Sequence, residues 1–130
     1  MNTMPDGWQI VNQRRRKERR APRIYVSLNR RGEIAMNAEA FKAIGRPPNV
    51  TLLYDAETKR IGVKYPVALD RHFFPVRRMG RGRKTLVVRG ARMVKQFGIE
   101  VERTYVFRDV RCVRFDGSPM LLLQMDAIDL

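Results

Sequence analysis

The chain is poor in the residues that carry most site chemistry. Its 130 residues include one cysteine, Cys112, one histidine, His72, and one tryptophan, Trp8. One thiol and one imidazole cannot assemble a disulfide framework or a zinc site within a chain, so no metal or other cofactor is expected. A lone cysteine is compatible with a reducing compartment, and a cytoplasmic location is the expectation. No apolar run approaches the ~18 residues of a membrane span, and residues 1–13 lack the apolar core of a secretory signal. A membrane partner is therefore not expected.

Negative charge is also scarce. Thirteen Asp and Glu face 27 Lys and Arg, giving a net charge of +14, while 44% of the residues are hydrophobic. That apolar content suits one folded domain with a core, and a chain this short does not hold two of ordinary size. Self-repulsion of this strength is relieved by a polyanion, which makes nucleic acid the first partner to weigh. The competing reading is a solvated basic surface. The excess is localised: residues 1–33 hold nine Lys/Arg against three Asp/Glu and residues 66–98 hold nine against one, whereas residues 99–130 hold four against six.

Those two basic stretches lead into a repeat. Residues 32–45 run from a short strand through a cap into a helix ending at Gly45, and residues 85–98 repeat the pattern more faintly. Gly98 answers Gly45, Phe97 answers Ile44 and Val94 answers Phe41, with Arg30-Arg31 before the first copy and Arg83-Lys84 before the second. Self-similarity of this kind outranks other local signals. Two pseudo-repeats, residues 23–65 and 73–125, are expected within a single β-rich domain spanning 23–130, after a basic arm over residues 1–22. In that arm Arg14-Arg15-Arg16-Lys17 belongs to a block of like charge with nothing apolar to order it; it is expected to be disordered and to contact phosphates, or else to act as a solubilising tail.

Within the first repeat, Ile24, Val26 and Leu28 alternate as one face of a strand, Asn29-Arg30-Arg31-Gly32 makes a turn, and residues 33–36 return. Asn37 is placed to cap a helix that buries Phe41 and Ile44, Gly45 suits its left-handed end, and Pro47-Pro48 stop it. Residues 50–54 and 60–64 form a second hairpin around a turn at 55–59, with Ile61 and Val63 inward. In the second repeat a short strand is expected near residues 73–76, then a flexible Gly/Arg loop carrying Arg77, Arg78, Arg81, Arg83 and Lys84 that moulds to a phosphate backbone, or else serves as a plain linker. A strand at 85–88, a helix at 91–97, a strand over 99–107 after a shorter loop, and a hairpin across Asp116-Gly117-Ser118-Pro119 complete it. Val101, Tyr105 and Phe107 are expected to face inward, Cys112 reads as a buried strand residue, and the methionines as core fillers. Residues 126–130 form a short acidic end.

No catalytic constellation emerges, and an enzyme is not expected. His72, between Arg71 and Phe73, lacks a partner for general-base work and reads as a surface or packing residue. Arg81-Gly82-Arg83-Lys84-Thr85 has the composition of a phosphate-binding loop without its glycine spacing. Asp55, Glu57, Asp109 and Asp116 fall at turns, where carboxylates cap backbone amides. The tyrosines sit mainly on strands, which argues against stacking of single-stranded bases on an aromatic platform.

Residues 26–36 with the Arg31-Gly32 turn, the helix of residues 38–45 and the hairpin of residues 50–64 together resemble the AbrB/SpoVT/MazE type of swapped-hairpin DNA-binding domain. The resemblance covers residues 23–65 closely and 73–115 more loosely. Met36-Asn37 stands where that family usually carries a proline, and one chain holds both units where the family pairs two chains. The resemblance implies an α+β, β-rich fold in which the two β-β-α-β(-β) units build one swapped-hairpin barrel, a tandem pseudo-dimer. It further implies DNA binding, with Arg30, Arg31, Arg83 and Lys84 in the places of the family's DNA-facing basic residues, and the two cationic clusters are expected to share a single exposed surface. The expectation is a non-enzymatic protein that binds nucleic acid, double-stranded DNA ahead of RNA, in transcription regulation. The alternatives are RNA binding and a protein-interaction module, an antitoxin or phage or plasmid adaptor, as a homodimer or with an acidic protein.

Overall fold

The computed structural model describes residues 23–125. Among these residues, nine strands and two short α-helices follow in order: β1 (Val26–Leu28), β2 (Glu33–Met36), α1 (Ala38–Ala43), β3 (Asn49–Asp55), β4 (Arg60–Lys64), β5 (Phe74–Met79), β6 (Thr85–Arg89), α2 (Ala91–Phe97), β7 (Tyr105–Val106), β8 (Val110–Phe115) and β9 (Ser118–Gln124). All nine lie in one antiparallel sheet, in the order β7-β1-β2-β6-β5-β3-β4-β9-β8.

Chain connectivity makes this sheet curl. The outermost strands, β7 and β8, are joined by a link from Val106 to Val110, which spans at most about 14 Å. A flat sheet of nine strands would hold its edges about 38 Å apart at roughly 4.8 Å per strand. The sheet therefore bends into a half-barrel. It does not complete the closed barrel expected from the sequence, because no ladder joins β7 to β8 among the described residues.

The concave side holds the core. Val26, Leu28, Ile34, Met36, Leu86 and Val88 come from one wall and Val50, Ile61, Val63, Leu121 and Leu123 from the other, with Phe41 and Ile44 of the α1 segment closing over them. Each such aliphatic side chain contributes about 1.5–3 kcal/mol on burial. Alternation places them there, since period two sends every second residue inward.

Local signals act as the residues dictate. Asn37 Oδ1 accepts from the Ala40 amide at 2.9 Å, which caps α1, and also from the Tyr25 amide at 3.1 Å, while its Nδ2 donates to the Arg23 carbonyl at 2.7 Å. Both helices end alike. The Gly45 and Arg46 amides reach back to the Lys42 and Phe41 carbonyls, and the Gly98 and Ile99 amides reach back to those of Lys95 and Val94. Gly45 and Gly98 hold φ of +87° and +64°, the left-handed turn that glycine adopts without a Cβ penalty.

Several expectations are corrected. Arg77 and Arg78 belong to β5, not to a loop, because their backbones complete the ladder to Val87 and Leu86. The segment after α2 is longer than its counterpart after α1, and only Tyr105–Val106 of residues 99–107 pairs as strand. Cys112 is exposed. It pairs with the core residue Leu121, but β8 is the sheet edge, where the Ala43 carbonyl at the end of α1 accepts from Cys112 Sγ at 3.4 Å. Met79 and Phe97 are 40% and 44% exposed, so neither fills the core.

One feature carried no sequence signal. Lys64 is buried to 2% exposure and its Nζ lies 3.0 Å from Asp70 Oδ2, which also accepts from the Thr51 hydroxyl and the Val67 amide, each at 2.9 Å. The Val67 amide first, then Lys64, hold the Asp70 carboxyl below its ordinary value of 3.8 against the opposing effect of burial. A lowered carboxylate pKa stabilises the fold above the unfolded value, and that stability is lost as pH falls through the folded value.

Two outcomes follow from these contacts. Asn37→Ala should lower stability by about 1–2 kcal/mol in denaturant titration, since it removes a helix cap together with two bonds to the incoming strand. Asp70→Asn should lower stability at pH 7, and the gap to the parent protein should narrow as pH is taken below 3.8, read as denaturation midpoints across a pH series.

Candidate functional site

The first basic turn is built on Asn29. Its Oδ1 accepts from the Arg31 and Glu33 amides, each at 2.9 Å, and its Nδ2 donates to Glu33 Oε1 at 2.9 Å. Gly32, at φ +82°, sits so close to α2 that a methyl there would lie 2.7 Å from Ala91 Cα. The turn is thereby fixed, and Arg30 and Arg31 project from it exposed, bordering a shallow hollow shared with Thr104. Glu33 is the nearest carboxylate, 4.0 Å from both Arg31 and Arg89.

The second basic turn joins β5 to β6. Met79 pairs with Thr85, and a single helical turn over Arg81–Arg83 closes the link, with the Arg83 amide bonded to the Gly80 carbonyl at 2.9 Å. Arg81, Arg83 and Lys84 are exposed there, as are Arg77 and Arg78 on the strand below. Arg77 and Arg78 point to opposite faces, since Arg77 pairs with Val87 and Arg78 with Leu86. Among the described residues, Arg30, Arg77, Arg78, Arg81, Arg83 and Lys84 have no carboxylate within 4.0 Å. Arg14, Arg15, Arg16 and Lys17 lie outside the described residues.

The two turns do not share one patch. In the β2–β6 ladder Glu33 pairs with Arg89 and Met36 with Leu86, so Arg30-Arg31 and Arg83-Lys84 leave at opposite ends. With about 3.3 Å of rise per residue they stand roughly 25 Å apart. Between them, on the face away from the core, register aligns Ser27, Ala35, Val87 and Arg77 across four strands. Ser27 and Val87 are only 9% and 7% exposed. The two basic turns thus bound a strip made by Ser27, Ala35 and Val87, with Arg77 at its β5 end.

A second concavity lies near the first turn, where α2 leans on β3. Tyr54 and Phe97 pack with ring centroids 5.1 Å apart at 41°, and with Phe73, His72, Arg71 and Arg92 they line a cleft of about 600 Å³. His72 is exposed, as a surface reading requires. The aromatic argument from the tyrosines alone is corrected: Phe73 and Phe97, 47% and 44% exposed, present open rings at this cleft.

Elsewhere, carboxylates serve structure. Asp55 Oδ1 accepts from the Glu57 and Thr58 amides at 3.0 and 3.4 Å, and bonding to Thr58 foremost holds its pKa below the ordinary value. Among the described residues no three metal-binding side chains gather, and no helix is long and apolar enough to cross a membrane. Leu53, Val113, Phe115 and Leu122 border an apolar groove on the outer face of β3, β4, β9 and β8, which the sequence reading missed because strand order decides which outward residues become neighbours. Compared with known proteins, the chain matches no family model, no curated sequence and no solved structure.

Proposed function

We propose that the chain is a non-enzymatic nucleic-acid-binding protein that grips duplex DNA through the basic turns at the two ends of its β1-β2-β6-β5 segment, with transcription regulation as its role. The observation that carries this reading is the placement of exposed cations at both ends of one four-stranded segment, of which Arg31 alone has a carboxylate, Glu33, within 4.0 Å among the described residues. A spacing of roughly 25 Å exceeds the ~12 Å major groove and falls short of the ~34 Å helical turn. The arginines of both turns would therefore have to reach inward to meet phosphates on the two backbones that flank one major groove. Such contacts position a protein on the duplex, and base contacts would have to supply sequence preference.

The strand order also supports the swapped-hairpin resemblance. If β1, β2 and β3 are exchanged with β5, β6 and β7, the run β7-β1-β2-β6-β5-β3 reads the same from either end. Each hairpin then receives the strand that follows the other repeat's helix. The β2–β6 ladder itself covers residues 33–36 and 86–89, positions that the repeat places 53 apart. One chain would thus supply both halves that the family draws from two.

Binding should fall steeply with salt, because each phosphate neutralised releases condensed counterions. Four engaged cations correspond to a slope of about −3.6 in log K against log salt. Replacing Arg30, Arg31, Arg83 and Lys84 together by Ala should remove most of that slope in fluorescence anisotropy without changing the thermal midpoint by more than a few degrees. A flat salt response in the parent protein sinks the proposal, and preference for structured RNA in competition would move it to RNA. Glu33→Gln removes the carboxylate between Arg31 and Arg89 and should tighten duplex binding up to about fivefold, the scale of one exposed charge.

A further inference from the structure

The cleft between β3, the segment before β5, and α2 has no role in gripping a duplex, yet its composition is selective. Among the residues that line it, every group able to carry charge is cationic or a histidine: Arg71, Arg92 and His72. No carboxylate lines it, and neither arginine has an ion-pair partner among the described residues. Its apolar lining combines Leu52, Leu53 and Met93 with rings, of which Phe97 is braced against Tyr54 and Phe73 is half open. Cations set beside accessible rings suit a ligand that is anionic at one end and flat and aromatic at the other.

The comparison between the repeats strengthens this. At the spacing of 53 residues, Arg92 stands where α1 has Glu39, and Phe97 where the first repeat has Ile44. Ile44 is wholly buried, whereas Phe97 is 44% exposed. The second repeat has therefore exchanged a core aliphatic for an accessible ring and an acid for a guanidinium. Both changes fall on the wall of one cleft. A fold requirement shared by the two helices explains neither, because α1 meets the same helix-ending geometry with Ile44 and Glu39.

We propose that this cleft binds one unpaired nucleotide, either a free nucleoside monophosphate or a unit of a single strand, with its base against Phe97 and Phe73 and its phosphate held by Arg71 and Arg92. The rings accept any base, since each base has a π-face. The guanidinium groups offer paired N–H donors that match the oxygens of a phosphate. The site does not rest on the duplex reading, although a single strand leaving a gripped duplex near Arg30-Arg31 would pass close by, because Gly32 abuts Ala91 at the start of α2.

His72 is the chain's one histidine, so its ring protons give resolved NMR signals without assignment. Titrating the full chain with adenosine monophosphate, ribose 5-phosphate, inorganic phosphate, a single-stranded oligonucleotide and an acidic peptide separates the ligand classes. Saturable His72 shifts are expected with the monophosphate and the oligonucleotide, and at least about fivefold weaker binding of ribose 5-phosphate and inorganic phosphate, which lack the stacking base. Phe97→Ile, which restores the side chain of the first repeat and keeps an apolar cover, and Arg92→Gln should each weaken the monophosphate about fivefold or more while leaving duplex affinity unchanged. Equal binding of inorganic phosphate, saturation by the acidic peptide alone, no saturable shift, or variants that bind the monophosphate as the parent does would each overturn the assignment. The four-fold Ala variant of the basic turns should lose duplex binding and keep the monophosphate shift, so the two proposals fail separately.

Discussion

The ladder between β2 and β6 is the constraint from which the rest of the architecture follows. Glu33–Met36 and Thr85–Arg89 are the inner strands of two hairpins, and their antiparallel pairing brings residues 50 to 56 positions apart in the chain into direct register. Once those strands pair, the outer strands β1 and β5 are left as free edges. β7 takes the first and β3 the second, so each edge is covered by a strand that arrives through a helix. The same pairing sends the two basic turns to opposite ends. Long-range pairing of this kind is slow to form because loop closure must precede any reward, but it leaves fewer strand edges open to other chains.

Much of the local structure was legible. Asn29-Arg30-Arg31-Gly32 and Asp116-Gly117 marked turns because their positions need side-chain acceptors or positive φ, and the structure uses them so, with Gly32 at +82° and Gly117 at +78°. Asn37 caps α1, and Gly45 and Gly98 end the helices, because each answers an orphaned backbone group within a few residues. Partner choice between strands was not legible. The pattern that makes residues 50–54 and 60–64 strands does not say that β5 will pair with β3 or β9 with β4. Exposure follows from partner choice, which is why Cys112, set in an alternating apolar and basic run, lies at an edge. The Lys64–Asp70 pair was hidden for a related reason: a lysine at the end of a strand is ordinarily solvated, and only the return of Val67 to Asp70 over it supplies three donors to one carboxylate oxygen.

The basic groups named from the sequence are exposed where the structure describes them, but their arrangement required strand order. A charge pattern travelling with a repeat suggests two clusters on one patch. The ladder shows two ends of one strip. The difference matters physically, because two clusters on one patch would repel at close range, whereas turns roughly 25 Å apart stand well beyond the ~8 Å screening length of physiological salt. Each turn is then electrostatically independent, and the chain tolerates charge that a compact cluster would make costly.

That separation clarifies how a domain of this size carries +14. Lys64, the one buried cation identified, is neutralised by Asp70 within the fold, so the core itself holds no uncompensated charge. Among the described residues the other cations are exposed or half-buried, on turns, on both helices and on strands, Arg89, Arg111 and Arg114 among them, where water and salt screen them. What repulsion is left acts between surface groups, and it weakens when counterions or a polyanion gather there. Binding and folding are thus linked: a ligand that prefers the folded arrangement of these cations stabilises the fold by mass action. Salt, in turn, relieves the repulsion while weakening the ligand's hold. The half-barrel is held by its aliphatic core, and low salt, the condition most adverse to the free protein, is the one that would most favour the proposed complex with a polyanion.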